Sequence, residues 1–227
     1  MMDQSDLQAL IAKTEALGWD KPDYLVPHDE VLASQDRFAF VGKLLALKTQ
    51  NSYYVRSTIM SAWSFATPLT MKILEPSKFL FTVLQESHYH HLISQRPWNI
   101  KGSLLLLQPW SSELAIDEVK LQFCAFWVQV HNLPMQFMTT TNAIRIGKGI
   151  GKILELDHNN SSGLISRPFI RFKIEINTFL PLASGFFMPC EETKPRWIAF
   201  KYERLDEYCF SCGLIGHVKK FCPAPQE

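Results

Sequence analysis

Leu69-Thr70-Met71-Lys72-Ile73-Leu74-Glu75-Pro76-Ser77-Lys78-Phe79-Leu80-Phe81-Thr82-Val83-Leu84 reads as two β-rich runs, 69–74 and 78–84, parted by Glu75-Pro76-Ser77. Proline fixes its own φ and has no N–H for a ladder, so the break is a turn and the pair a hairpin. Upstream, residues 37–45 form a strand candidate. Asn51 then stands where a helix N-cap belongs, ahead of Val55, Ile59, Ala62 and Trp63 on one helical face. Downstream, residues 86–95 keep a helical period until Pro97 stops it, and 103–110 is the fourth strand. The order is β-α-β-β-α-β, the ferredoxin-like α+β split that RNA-recognition motifs also use. We assign this RNA-recognition-like domain to residues 36–112.

Outside it, residues 1–35 hold an amphipathic helix, with Leu7, Leu10, Ile11 and Leu17 behind an N-cap at Ser5 or Asp6, and a linker over 18–36 bearing Gly18, Pro22 and Pro27. Past a boundary at 109–113, a second, smaller α+β module over 113–204 starts with an apolar strand at 123–130. Thr139 or Thr140 caps the helix that follows, bearing Ala143, Ile146, Gly147 and Ile150. Strands are expected at 153–156, 168–176, 186–188 and 197–202, with a loop at 157–163. Strand, helix and hairpin thus recur without a residue-level repeat.

Residues 205–223 are different in kind. Cys209, Cys212, His217 and Cys222 follow the order C-x2-C-x4-H-x4-C, four ligands for a closed tetrahedral Zn²⁺ site, the signature of a CCHC zinc knuckle. A catalytic zinc keeps one position open; this set leaves none, so the ion is expected to be single and structural. Gly213 and Gly216 suit the positive φ that so tight a loop needs. Metal binding of about 10–16 kcal/mol is the usual source of order in such a peptide.

Composition excludes several classes. Hydrophobic residues make up 47% and charged residues 20%, so a sizeable core is expected. A net charge of +1 rules out a strongly cationic protein, and any grip on nucleic acid must be local. Cys124 and Cys190 are left over, far apart and in apolar surroundings, which is an intracellular pattern, nucleus or cytoplasm, and no disulfide framework. The N-terminus lacks a basic, apolar leader, and the apolar run 104–107 is, like every other in the chain, far short of a membrane span.

Several stretches together resemble a family of plant proteins that join a domain of unknown function to a C-x2-C-x4-H-x4-C knuckle, many of them LINE-type retrotransposon first-open-reading-frame or gag-like products. They are Val41-Gly42-Lys43, Arg96-Pro97-Trp98, Phe126-Trp127-Val128-Gln129-Val130-His131-Asn132-Leu133-Pro134, Ile146-Gly147, Ile150-Gly151 and Lys201-Tyr202-Glu203-Arg204-Leu205. The chain departs from that family at Asp206, where proline is common. The resemblance implies nucleic-acid binding without enzymatic activity.

Residue by residue, the same direction holds. Phe210 and Phe221 flank the first and last ligands, where rings can stack on unpaired bases, and Lys219 and Lys220 can meet phosphates. Phe79 and Phe81 occupy the strand on which RNA-recognition motifs carry stacking rings, but the run lacks the glycines of that pattern and reads as core. His88, His90 and His91 do not share one helix face. Gly147-Lys148-Gly149-Ile150-Gly151 ends a helix and is no phosphate loop, and Cys124 with His131 lacks a third partner for catalysis. The expected partner is single-stranded RNA or DNA, with self-association as a way to raise affinity, and neither a membrane nor a small-molecule substrate. The competing expectation is a protein-interaction module with a purely structural knuckle.

Overall fold

The computed structural model describes residues 3–18, 38–47, 50–111, 113–157, 167–189 and 194–224. Most of the expected linker, residues 158–163 of the expected loop, Arg37, Ser112 and Cys190 lie outside them. The chain divides into two compact units, Met1–Ser34 and Gln35–Glu227. The first holds helix α1, Gln4–Ala16. Its N-cap is Asp3, whose carboxylate accepts from the Gln4 amide, and not Ser5 or Asp6, which lie inside the helix. The apolar side chains of α1 are exposed, so none of them builds a core.

The second unit opens with β1 (Ala39–Leu45), α2 (Ser52–Ala62), β2 (Leu69–Glu75), β3 (Lys78–Val83), α3 (Glu86–Ser94), β4 (Trp98–Ile100) and β5 (Ser103–Trp110). The strands form an antiparallel sheet in the order β2-β3-β1-β5-β4. Asn51 caps α2 by accepting from the Tyr53 and Tyr54 amides. Pro76-Ser77 makes the β2–β3 turn, with Ser77 at φ 70. The added strand β4 makes 103–110 the fifth strand of the sheet and not the fourth. It joins β5 through Lys101-Gly102, both at positive φ, as a two-residue type I′ hairpin requires.

The second half repeats this plan. β6 (Phe123–His131), α4 (Thr140–Ile150), β7 (Lys152–Leu156), β8 (Ile170–Asn177), β9 (Gly185–Met188) and β10 (Arg196–Tyr202) give a sheet in the order β7-β8-β6-β10-β9. Position for position this is the first sheet again, with a short edge strand paired outside the last one. The counterpart of α3 is missing, and residues 178–184 run in its place.

That missing helix explains β5. Leu105 and Leu107 join Phe40, Trp63, Phe81 and Leu92 in a core under α2 and α3, while Leu104 and Leu106 enter a second core with Phe126, Val128, Phe172 and Ile198. Side chains alternate along a strand, so β5 is buried on both faces, which is why Leu104 to Leu107 is an unbroken apolar run. The second module completes its core with a strand of the first.

Gly42 is fixed by the same crowding. A Cβ there would stand 2.7 Å from the Phe81 ring and 3.1 Å from Leu107, both fully buried. Gly42→Ala should cost about 1–3 kcal/mol by overpacking, read as a lower urea midpoint at unchanged slope.

Candidate metal centre and nucleic-acid interface

After Tyr202 the chain turns through Arg204 and Glu207, both at positive φ, into the cysteine and histidine segment. Backbone bonds set its shape. The Gly213 amide donates to the Cys209 carbonyl at 2.8 Å, the Cys209 amide to Leu214 at 3.0 Å, and both Gly216 and His217 donate to Glu207. Gly213 and Gly216 lie at φ 76 and 97, in the left-handed region that glycine enters without a Cβ penalty.

This turn brings Cys209, Cys212, His217 and Cys222 together, with one ligand atom from each lying within 4.8 Å of the others. Cys212 Sγ is 3.2 Å from His217 Nε2. A tetrahedron with metal–sulfur bonds of about 2.3 Å has edges of about 3.8 Å, a value that falls between the 3.2 Å contact and the 4.8 Å limit. Cys209 and His217 are buried, and Cys212 and Cys222 are half-buried. Burial pushes the Cys209 thiol up, but backbone hydrogen bonds at Cys212 and Ser211 and the neighbouring thiols outweigh it and bring it down to about 6. A thiolate is the form a metal binds. Among the described residues no other such group of three or more is close enough to hold a metal.

The knuckle is seated on the body. Ile215 joins the second core beside Leu104 and Leu106, the Leu182 amide donates to Gly213 at 2.9 Å, and Ser103 Oγ lies 3.2 Å from Glu207 Oε2. Outward it presents Phe210, 86% exposed and edge-on to Tyr208 at 5.0 Å, and Phe221, 56% exposed with Lys220 Nζ 5.6 Å from its ring centre. Lys219 and Lys220 are exposed. Phe221 and Lys220 also line a groove of about 610 Å³ that Leu47, Gln50 and Ser103 close from the other side.

Other sequence candidates fall elsewhere. Phe79 and Phe81 are buried against Phe40 and Trp63 on the helix side of the first sheet. The opposite face is covered along β1 and β5, where Leu106 and Leu104 pack on the second module, Lys43 lies 5.9 Å from the Phe179 ring centre, and Gln108 bonds the Phe123 carbonyl; on β2, Thr70 and Lys72 stay exposed. Cys124 is in the second core, its thiol pushed up to about 12 by burial, while His131 projects from the other face of β6 toward Phe169. Among the described residues no helix is long and apolar enough to cross a membrane.

Sequence reasoning missed a charged cluster at the junction of the modules, made of Arg96, Trp127, Arg171, Lys173, Glu203 and Arg204. Its signal was the alternation Ile170-Arg171-Phe172-Lys173-Ile174-Glu175, which puts three charges on one face of an otherwise apolar strand.

Comparison with known proteins follows this anatomy. Residues 33–118 match a domain of unknown function, DUF4283, and residues 190–224 match a zinc knuckle. An uncharacterized Arabidopsis thaliana protein, At4g02000, is 26% identical over 136 residues, 60% of this chain; the match spans 42% of that protein's length. Among solved structures, RNA recognition domains 1 and 2 of Sex-lethal from Drosophila melanogaster share 14% identity over 62% of this chain and 85% of theirs, at a TM-score of 0.27. The NONO-1 homodimer of C. elegans shares 8% over 88% and 73%, also at 0.27. Scores this low leave the superpositions without bearing on function. The chain thus carries a DUF4283 match followed by a zinc-knuckle match, with the knuckle's four ligands gathered in one place.

Proposed function

We propose that the chain is a zinc-dependent, non-enzymatic protein that binds single-stranded nucleic acid, RNA in the first place, and that it is of gag-like, retrotransposon-derived type, working inside the cell. The observation that carries the reading is the exposure of Phe210 and Phe221, beside the first and the last metal ligand, together with the exposed Lys219 and Lys220. One structural Zn²⁺ on Cys209, Cys212, His217 and Cys222 would hold both rings outward. The gag-like assignment rests on the sequence stretches shared with that group of plant proteins.

Magnitudes favour stacking over charge. Two lysines add +2 and a zinc with three thiolates about −1, so the knuckle is only weakly positive and its salt slope is at most about −1.4. Two stacked rings contribute about 2–6 kcal/mol. In the zinc-loaded full chain, Phe210→Ala and Phe221→Ala should each weaken binding to a single-stranded oligonucleotide by about 5- to 150-fold. Lys219→Ala and Lys220→Ala should cost about fourfold each at 0.15 M salt. Duplex, whose bases are already stacked, should bind less well. Dominant lysine effects, or equal binding of duplex, would sink the stacking mechanism.

The protein-interaction reading draws on one feature, the β9–β10 edge, where the exposed Phe187 ring lies 4.9 Å from that of Trp197. It takes over if none of the four changes matters and the full chain does not bind RNA.

A further inference from the structure

Away from the knuckle, a polar cleft of about 290 Å³ opens where the face of the second sheet opposite α4 meets the C-terminal end of α3. Arg96, Arg171, Lys173 and Arg204 line it against Glu155 and Glu203, four cations to two carboxylates. Arg171 and Arg96 each make two or more hydrogen bonds within the protein. Arg171 holds Glu203 through bonds of 2.7 and 2.8 Å and lies 3.7 Å from the centre of the Trp127 ring. Arg96 donates to the Ile93 and Leu107 carbonyls at 2.7 and 2.9 Å.

Lys173 is in a different position. It is 9% exposed, its Nζ donates to the Ser94 carbonyl, and no carboxylate of the described residues stands at ion-pair distance from it. A buried ammonium without a counter-charge is costly, and like charges beside it add to the cost. Burial holds its pKa below the usual lysine range; Glu155 opposes this, and Arg96, Arg171 and Arg204 reinforce it. Arg204, exposed, reaches the cleft from the knuckle side and bonds the Gln95 carbonyl at 3.2 Å. An anion between Lys173 and Arg204 would supply the missing counter-charge.

We propose that this cleft is a phosphate site in which Lys173 and Arg204 take one backbone phosphate of the bound strand. The proposal rests on the nucleic-acid reading above. Lysine offers a point charge and arginine a fork of N–H donors, and a phosphodiester with two free oxygens can meet both. Arg204 stands five residues before Cys209, so at most about 18 Å of chain separates the cleft from the metal centre. A few nucleotides cover that span, and one strand can engage both places.

The test uses the zinc-loaded full chain, a single-stranded oligonucleotide over a range of salt, and inorganic phosphate as a separate probe. Arg204→Gln and Lys173→Gln should each weaken oligonucleotide binding about fourfold at 0.15 M salt and flatten the salt slope by about 0.7. Arg204→Gln alters an exposed side chain, so the result stands even if Lys173→Gln fails to fold. Phosphate should shift the Trp127 indole N–H resonance, assigned with Trp127→Phe, in the wild type and not in Arg204→Gln. Unchanged slopes with the oligonucleotide still held by the knuckle would overturn the proposal and spare the nucleic-acid reading. A phosphate-induced shift with unchanged slopes would overturn it in favour of a free phosphate. If the wild type binds no oligonucleotide yet phosphate still shifts the indole, the nucleic-acid reading falls and takes the strand assignment with it.

Discussion

Cys222→Ser should release the metal and reduce oligonucleotide binding to the weak residue left by the body. Cys222 closes the ligand set from beyond the Lys219–Phe221 turn, so its loss frees the segment that carries both lysines and Phe221. Metal binding supplies about 10–16 kcal/mol in modules of this size, far more than the few hydrogen bonds that seat the loop, so the loop should lose its fixed shape. The body should survive, because Ile215 is a single contribution to a core otherwise built by β5, β6, β8, β10 and α4. Releasing one isoleucine forfeits about 1.5–3 kcal/mol. For a unit of this size that lowers the melting temperature by roughly 3–12 °C. Native mass spectrometry should report the lost ion, and circular dichroism should keep its strand signal. A variant that keeps its metal contradicts the ligand assignment. Collapse of the whole far-ultraviolet signal would make the knuckle integral to the fold.

The second large effect is expected at a residue that belongs to neither site. Leu106→Ala removes a fully buried side chain that grows from the first sheet into the core of the second. Large-to-small changes at such positions cost about 2–5 kcal/mol, because the transfer energy is lost and the cavity closes only in part. The melting temperature should fall by about 4–20 °C. The distinguishing result lies in hydrogen exchange: β6 and β8, which carry no mutation, should lose protection together with β1 and β3. Loss confined to the first sheet would show that the shared strand does not couple the two cores.

Local signals account for what the sequence revealed. The Pro76-Ser77 turn, the Asn51 and Thr139 caps and the C-x2-C-x4-H-x4-C spacing each act within a few residues, and each stands where it was read. Strand β4 escaped because it is three residues long, although Lys101-Gly102 between Ile100 and Ser103 is a hairpin signal in its own right. The α1 cap was misplaced by residues because Asp3, Ser5 and Asp6 all carry an oxygen able to cap. Long-range features had no such local mark. That Leu104 and Leu106 serve another module, that Ile215 of the knuckle is buried in the second core, and that Arg204 and Lys173 line one cleft are outcomes of chain packing, and periodicity reports only that a face is apolar or charged. The four-leucine run did signal two buried faces; it could not say what covers the second.

That shared strand bears on anyone who would isolate the DUF4283 segment as a reagent. Excision after residue 118, where the family match ends, leaves Val41, Leu45, Leu104 and Leu106 side by side on a bare surface, since the register sets Lys43 opposite Leu106 and Leu45 opposite Leu104. A greasy stripe of that kind on a free fragment seeks another stripe like it. Such a truncation should form back-to-back dimers or precipitate during expression, and polar replacements at 104 and 106, ruinous in the intact chain, should be the changes that keep it in solution.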